Sequence, residues 1–270
     1  MIIEMTHEEY LKRPEIGSSN IKEAVKTLAH FKAQMDKLTP FKESKAMDIG
    51  TAAHAAILER DYSKYVKGPD VDKRTKPWKE FVAANQDKVV LDSDAFNQIE
   101  GMYREFYKHP RASKLMNGGK PEVSIVWTPE FVKKPCKARL DYYVGDDSSG
   151  DYIIDYKTAR SASPDEFAKA VYNFRYDISA AHYINAVEEG LKREVKHYIW
   201  IVQENVAPYL VNVYVASPDL LARAKNRWGQ LLENIDKAYS ENNFPGYDSE
   251  IKELDIPSWA INKELEYVQR

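Results

Sequence analysis

The chain has 270 residues, 43% hydrophobic and 12% aromatic, with 39 Lys and Arg against 42 Asp and Glu for a formal net charge of −3, which suits one large domain with a real core. Its single cysteine, Cys136, excludes a disulfide framework and any four-cysteine zinc or iron–sulfur site. No stretch approaches the roughly 18 apolar residues of a membrane span, and the start MIIEMTHEEY lacks the features of a signal peptide, so the expectation is a cytoplasmic protein with no membrane partner.

In chain order, Thr6-x-x-Glu9 is a capping box opening a short helix that Pro14 ends. Gly17-Ser18-Ser19-Asn20 precedes a longer helix, Asn20 to Met35, with Ile21, Ala24, Val25, Leu28 and Phe31 on its apolar side. Such a hydroxyl-rich start either binds phosphate or is only a cap. Asp48-Ile49-Gly50-Thr51 begins a third helix, to Glu59, small and apolar except for His54, which is either a core histidine or a neutral imidazole ligand. Residues 67–80 form a Pro- and Gly-punctuated loop with Lys73, Arg74, Lys76 and Lys79 around Trp78; basic residues with an interleaved aromatic suit a nucleic-acid strand, or are a solvated loop. Asp92-Ser93 caps a helix to Lys108 whose Phe96, Ile99, Met102, Tyr103, Phe106 and Tyr107 form a core stripe.

Glu122 to Trp127 alternates as a strand, and Lys137–Val144 and Tyr152–Thr158 read as two strands of a hairpin. Residues two apart on a strand share a face, so Asp155 and Lys157 emerge together while Ile154 and Tyr156 point away, and Asp141 joins them from the paired strand. Two carboxylates can hold a hard divalent cation through oxygen, and a nearby lysine can steady a water or phosphate charge. Ile153 and Ile154 suggest a covered strand, where a charge is costly unless paired or metal-bound. Ser163-Pro164-Asp165-Glu166 is a second capping box; a helix from Ile178 to Glu189 carries Ser179, His182 and Tyr183; strands Lys196–Gln203 and Tyr209–Ala216 pair; Ser217-Pro218 opens a final helix to Tyr239; and a polar tail from Asn242 wraps the surface. There is no internal repeat, no Gly-Lys-Ser/Thr phosphate loop and no G-x-S-x-G elbow. The order gives an α/β core behind an α-helical N-terminal region, organised as residues 1–120 (mainly helical), 121–245 (core) and 246–270 (tail).

Asp141 followed after thirteen residues by Asp155-Tyr156-Lys157 resembles the PD-(D/E)XK nuclease core, and the surrounding motifs resemble the exonuclease VIII (RecE-type) group of RecB-like nucleases. The stretch EIGSSNIKEAVKTLAHFKA resembles that group's serine-rich first helix, DIGTAAH its G-T-x-x-H motif, DKRTK its basic loop and CKARLD its first-carboxylate motif. The similarity runs from about residue 6 to 245. It implies a restriction-endonuclease-like α/β fold, a mixed β-sheet flanked by helices, in a single nuclease domain. It implies a Mg²⁺-dependent exonuclease (Mn²⁺ able to substitute) that digests linear double-stranded DNA from the 5′ end. Such an enzyme leaves 3′ single strands, forms a homo-oligomeric ring and acts with a single-strand annealing protein.

By the same resemblance His54, Asp141, Asp155 and the Tyr156 carbonyl would hold metal, Lys157 would orient the water, and Glu122 would reach the site. Ser18, Ser19, Lys73, Arg74 and Lys76 would contact DNA, as would Ser179 and Tyr183. One position departs from the pattern: the usual Gln-x-x-x-Tyr is here Ser179-x-x-x-Tyr183, and serine is too short for the same contacts without a bridging water. The rival readings are an endonuclease or single-strand nuclease of the same fold, and a non-catalytic DNA-binding module.

Overall fold

The computed structural model describes residues 2–38, 45–60, 63, 65–148 and 150–256, with the side chains of 45–49 and 51 outside the description. In chain order the elements are β1 (Ile2–Ile3), α1 (His7–Lys12), α2 (Ser18–Ala24), α3 (Leu28–Met35), α4 (Lys45–Leu58), β2 (Tyr65–Lys67), α5 (Lys76–Ala84), β3 (Val89–Leu91) and α6 (Ser93–Lys108). There follow α7 (Pro110–Leu115), β4 (Lys120–Trp127), β5 (Cys136–Val144), β6 (Asp151–Ala159), α8 (Pro164–Asn173), α9 (Tyr176–Gly190), β7 (Val195–Glu204), β8 (Val211–Val215) and α10 (Pro218–Glu241).

Six strands form one mixed sheet in the order β1-β4-β5-β6-β7-β8. Only β6 and β7 are parallel, because α8 and α9 cross over between them; every other neighbouring pair is antiparallel. Both faces are covered, and the central β7 accordingly carries a continuous buried apolar run from Tyr198 to Val202. On one face α2, α9 and α10 bury Ile21, Ile178, Val187, Trp228 and Leu232 against Ile125, Leu140 and Ile153. On the other, α4, α6 and the residue that caps α7 bury Ile57, Phe106 and Met116 against Ile154, Tyr156 and Ile201. This is the fold class that the sequence suggests: a mixed α/β sheet flanked by helices, with helices dominating the first 120 residues.

Four local expectations need correction. The Asn20–Met35 helix is two helices, because Thr27 takes an extended conformation and its hydroxyl accepts the His30 N–H, starting α3 afresh. Residues 76–84 are not loop: Pro77 in the first turn and the burial of Trp78 make α5. The parallel pair β2–β3, which brackets that segment, was not anticipated. Ser163 starts α8 without a side-chain cap bond, its hydroxyl being shared with Ser161. The capping box at Thr6 and Glu9 forms as expected. At the C-terminal end Phe244 packs on Tyr239 and the Pro245 carbonyl accepts the Ala29 N–H, so the tail begins as a docked wrap; residues 257–270 lie outside the described residues.

Candidate metal and phosphate site

The site forms where β5 and β6 part. Their ladder covers only Tyr142↔Ile154, Tyr143↔Ile153 and Val144↔Tyr152. Beyond it the side-chain alternation of β5 slips: Ala138 and Leu140 face the α9 layer, whereas Tyr142 and Val144 face the α6 layer. Asp141 sits at the slip and its Oδ2 accepts the Tyr156 N–H at 2.9 Å, replacing the missing ladder bond. On the far side of β5, Glu122 lies opposite Asp141 and is skipped in the β4–β5 register, with φ of 56° in the left-handed region. A glutamate held there costs about 1–3 kcal/mol of backbone strain. The distortion turns its carboxylate toward α4.

From α4, His54 inserts between these carboxylates, its Nε2 3.0 Å from Asp141 Oδ2 and its Nδ1 3.4 Å from Glu122 Oε1. Glu122 is also paired with Arg139, whose guanidinium reaches Ser124 Oγ and the Met5 carbonyl. Asp155, 1% exposed, pairs through Oδ1 with Lys157, as the shared strand face requires. Lys157 Nζ also lies 3.9 Å from Asp141 Oδ2. The sequence-predicted set of His54, Glu122, Asp141, Asp155 and Lys157 is thus brought together.

The electrostatics divide the carboxylates. Burial raises Asp155 to about 6, Lys157 opposing and the neighbouring Asp141 charge reinforcing. Asp141 is also buried, but His54 and Lys157 overcome this and hold its carboxyl well below the usual range. Burial works against a charged His54, yet Asp141 and Glu122 outweigh it and push the imidazole up to about 10. Lys157 is raised, burial being outweighed by Asp155 and Asp141. Burial, then the two aspartates, raise Tyr183 and keep its phenol protonated.

Asp155 Oδ2 is fully buried with no hydrogen-bond partner, a costly state for a carboxylate oxygen. Two aspartates, a glutamate and an imidazole are also the hard-oxygen and nitrogen donors that divalent cations take. The residues therefore fit such an ion. In the described geometry they are drawn onto His54, Arg139 and Lys157, and among the described residues no three His, Cys, Asp or Glu groups converge as a ready coordination shell.

The remaining predicted positions are placed differently. Ser18 is buried and donates to the Tyr183 hydroxyl at 3.3 Å, so it ties α2 to α9, whereas Ser19 is exposed. Ser179 is 4% exposed. Lys73 pairs with Asp92 at 2.7 Å and lies over Trp78, Arg74 pairs with Asp72, and Lys76 faces Glu80; none of these partners belongs to the carboxylate cluster. Trp78, buried, is no stacking surface.

Sequence reasoning missed Lys22 and Tyr176. The Tyr176 ring has Lys157 Nζ 5.2 Å and Lys22 Nζ 5.9 Å from its centroid, and burial followed by the Lys157 charge lowers the Lys22 pKa. The signal available was a lysine directly beside the buried Ile21.

Residues 17–255 match the family model described as a PDDEXK-like domain of unknown function (DUF3799). Among curated proteins none matches the sequence. The crystal structure of a provisionally assigned exonuclease from Eubacterium rectale is similar over 96% of this chain and 98% of that one, with a TM-score of 0.63 and 13% identity. At that identity the likeness speaks for the fold alone. The structure of SSO0001, 12% identical over 67% of this chain and 84% of its own with a TM-score of 0.29, adds no argument.

Proposed function

Because the chain belongs to the PDDEXK-like domain family DUF3799, we propose that it is a divalent-metal-dependent deoxyribonuclease, of the RecE type, digesting linear double-stranded DNA from its 5′ ends. The observation that carries this reading is the convergence of Asp141, Asp155 and Lys157 where two strands part, with one Asp155 oxygen buried and unpaired. Asp141, Asp155, His54 and the Tyr156 carbonyl would hold the ion, Mg²⁺ with Mn²⁺ as substitute, which when bound supplies Lewis-acid polarisation of the phosphoryl group and of the attacking water.

The chain's own residues do the rest. Lys157, kept cationic, orients the attacking water and faces the charge that develops on the phosphate. Glu122 steers His54 through Nδ1 and is itself anchored by Arg139. Tyr183, its phenol protonated and held by Ser18, offers a donor beside the two aspartates. The side chains of Lys73, Arg74 and Lys76 are 57%, 91% and 86% exposed, and surface ion pairs of this kind are worth only about 0–1 kcal/mol, so they remain available to grip the DNA backbone. A homo-oligomeric ring and a single-strand annealing partner complete the proposal, with recombination as its setting.

The test is digestion of matched linear and covalently closed circular duplexes with Mg²⁺ or EDTA, the linear one labelled separately at each end. Metal-dependent loss of the linear DNA alone, starting at 5′ ends, is expected. Cutting of the circle would assign an endonuclease of the same fold. DNA binding without digestion would assign a non-catalytic module.

A further inference from the structure

The corner between α8 and α9 carries a row of aromatic rings, of which the outer two, Tyr172 and Phe174, are not used by the core. The buried face of α8 is Phe167 and Val171. The next residues are turned outward: Tyr172 is 73% and Phe174 61% exposed. Single exposed apolar side chains are ordinary, but two large rings within three residues, adjoining a polar site, form a patch of the kind that marks a binding surface.

The row leads into the carboxylate site. Phe174 lies 5.7 Å from Tyr176, their rings 31° apart, and Tyr176 is the ring shared by Lys157 and Lys22. The corner is also held still. Only Phe174 and Arg175 separate the two helices, and Arg175 adopts φ of 54°. Its guanidinium donates to both Asp177 oxygens, at 3.0 and 2.6 Å, and sits 5.9 Å over the Tyr172 ring. Lys22 has no ion-pair partner among the described residues. Asp155 and Asp141 already neutralise Lys157, so the ammonium on this ring left without a paired anion is that of Lys22.

Cations beside an acidic metal-type site, continued outward by exposed rings, match the parts of a nucleotide: phosphate at the lysines, base on the rings. A paired duplex hides its base faces in its own stack, so the rings can serve only unpaired bases. We propose that Tyr172 and Phe174 form a stacking platform for unpaired nucleobases of the strand whose phosphate lies at Lys157 and Lys22. This rests on the nuclease reading above and adds to it a subsite for single-stranded ends.

The probes are a duplex with a short unpaired end and a fully paired blunt duplex, digested with Mg²⁺ by the wild type, by Tyr172→Ala/Phe174→Ala and by Phe174→Trp. Stacking losses on the usual scale predict a rise in KM of about tenfold for the double alanine variant on the unpaired end, with a smaller effect on the blunt duplex. Its kcat and melting temperature should stay near wild type, because both rings are exposed, and Phe174→Trp should keep the wild-type KM. An unchanged KM in the double alanine variant overturns the platform while leaving the nuclease reading intact. A wild-type protein that digests neither probe overturns both.

Discussion

His182 ties α9 to the strand beneath the site, and that tie should fail in acid. The imidazole is fully buried; its Nε2 lies 2.9 Å from the Lys137 carbonyl, and the Trp228 indole N–H lies 3.1 Å from Nδ1. The indole can only donate, so Nδ1 is the acceptor and Nε2 carries the single proton. Burial lowers this imidazole from 6.5 to about 4, the Lys137 carbonyl opposing and Lys22 reinforcing. The folded pKa lies below the unfolded one, so between pH 6.5 and 4 the unfolded chain binds more protons, and stability falls as pH falls. The loss from this group is about 1 kcal/mol at pH 5.5 and grows to about 3 kcal/mol by pH 4. Asp155, raised by burial, changes stability in the opposite direction over part of this window, so wild-type stability alone does not report on His182. Comparison with His182→Gln does, since the amide can accept from Trp228 and donate to Lys137 without titrating. Urea unfolding followed by tryptophan fluorescence, at pH 7.5, 6.5, 5.5 and 4.5, should give a wild-type-minus-variant difference that barely changes between pH 7.5 and 6.5 and then falls by about 2 kcal/mol by pH 4.5. A difference that stays constant throughout would refute the reasoning.

Asp155→Asn and Lys157→Ala should each abolish metal-dependent digestion while the circular dichroism spectrum stays folded; full activity in either purified variant sinks the site. His54→Ala should weaken Mn²⁺ binding by calorimetry, by roughly 10-fold or more on the scale of lost coordination-sphere groups, and unchanged affinity would return His54 to the role of a buried structural histidine. Lys73→Ala with Arg74→Ala should lower the slope of log affinity against log salt by up to about two, and an unaltered slope would remove that loop from the DNA path. Ser179→Gln restores the residue usual in RecB-like nucleases but enlarges a side chain that is 4% exposed; it should lower stability by about 1–3 kcal/mol, and a stability equal to wild type would show that the longer side chain has room to reach the site.

The parts of the site that lie on strands were legible because a period of two is hard to misread. Asp155 and Lys157 share a face as expected, and Ile154 and Tyr156 join the opposite core. The slip of β5 at Asp141 was not legible, because an alternating run gives no sign of where a neighbouring strand stops pairing. Glu122 was placed on the right strand, but its left-handed backbone has no signature in a glutamate. Helical contributions were harder. The periodicity of the Asn20–Met35 stretch is real on both sides of Thr27, so the apolar stripe hid the break. His54 on its small-residue helix was equally compatible with a core role, and only the surrounding motifs favoured the site. Basic residues around Trp78 suggested a stacking surface, yet the indole is buried, and the exposed rings nearest the carboxylates are Tyr172 and Phe174, at the corner where α8 ends.

Charge balance explains how the fold tolerates this cluster. Glu122, Asp141 and Asp155 stand against Arg139, Lys157 and a His54 held in its charged form, three negative groups against three positive. Taking each charge from water is costly, and the arrangement persists because each has an opposite neighbour at contact distance. Lys22 adds a fourth cation without a carboxylate of its own. A divalent cation held by His54 would displace the imidazole proton and still leave the pocket with a net gain of positive charge, which a phosphodiester arriving beside Lys22 and Lys157 would offset. The reverse order meets the same obstacle, since a phosphate without the cation faces three carboxylates. On the proposed nuclease reading, metal and DNA would then bind together, each strengthening the other by the same factor.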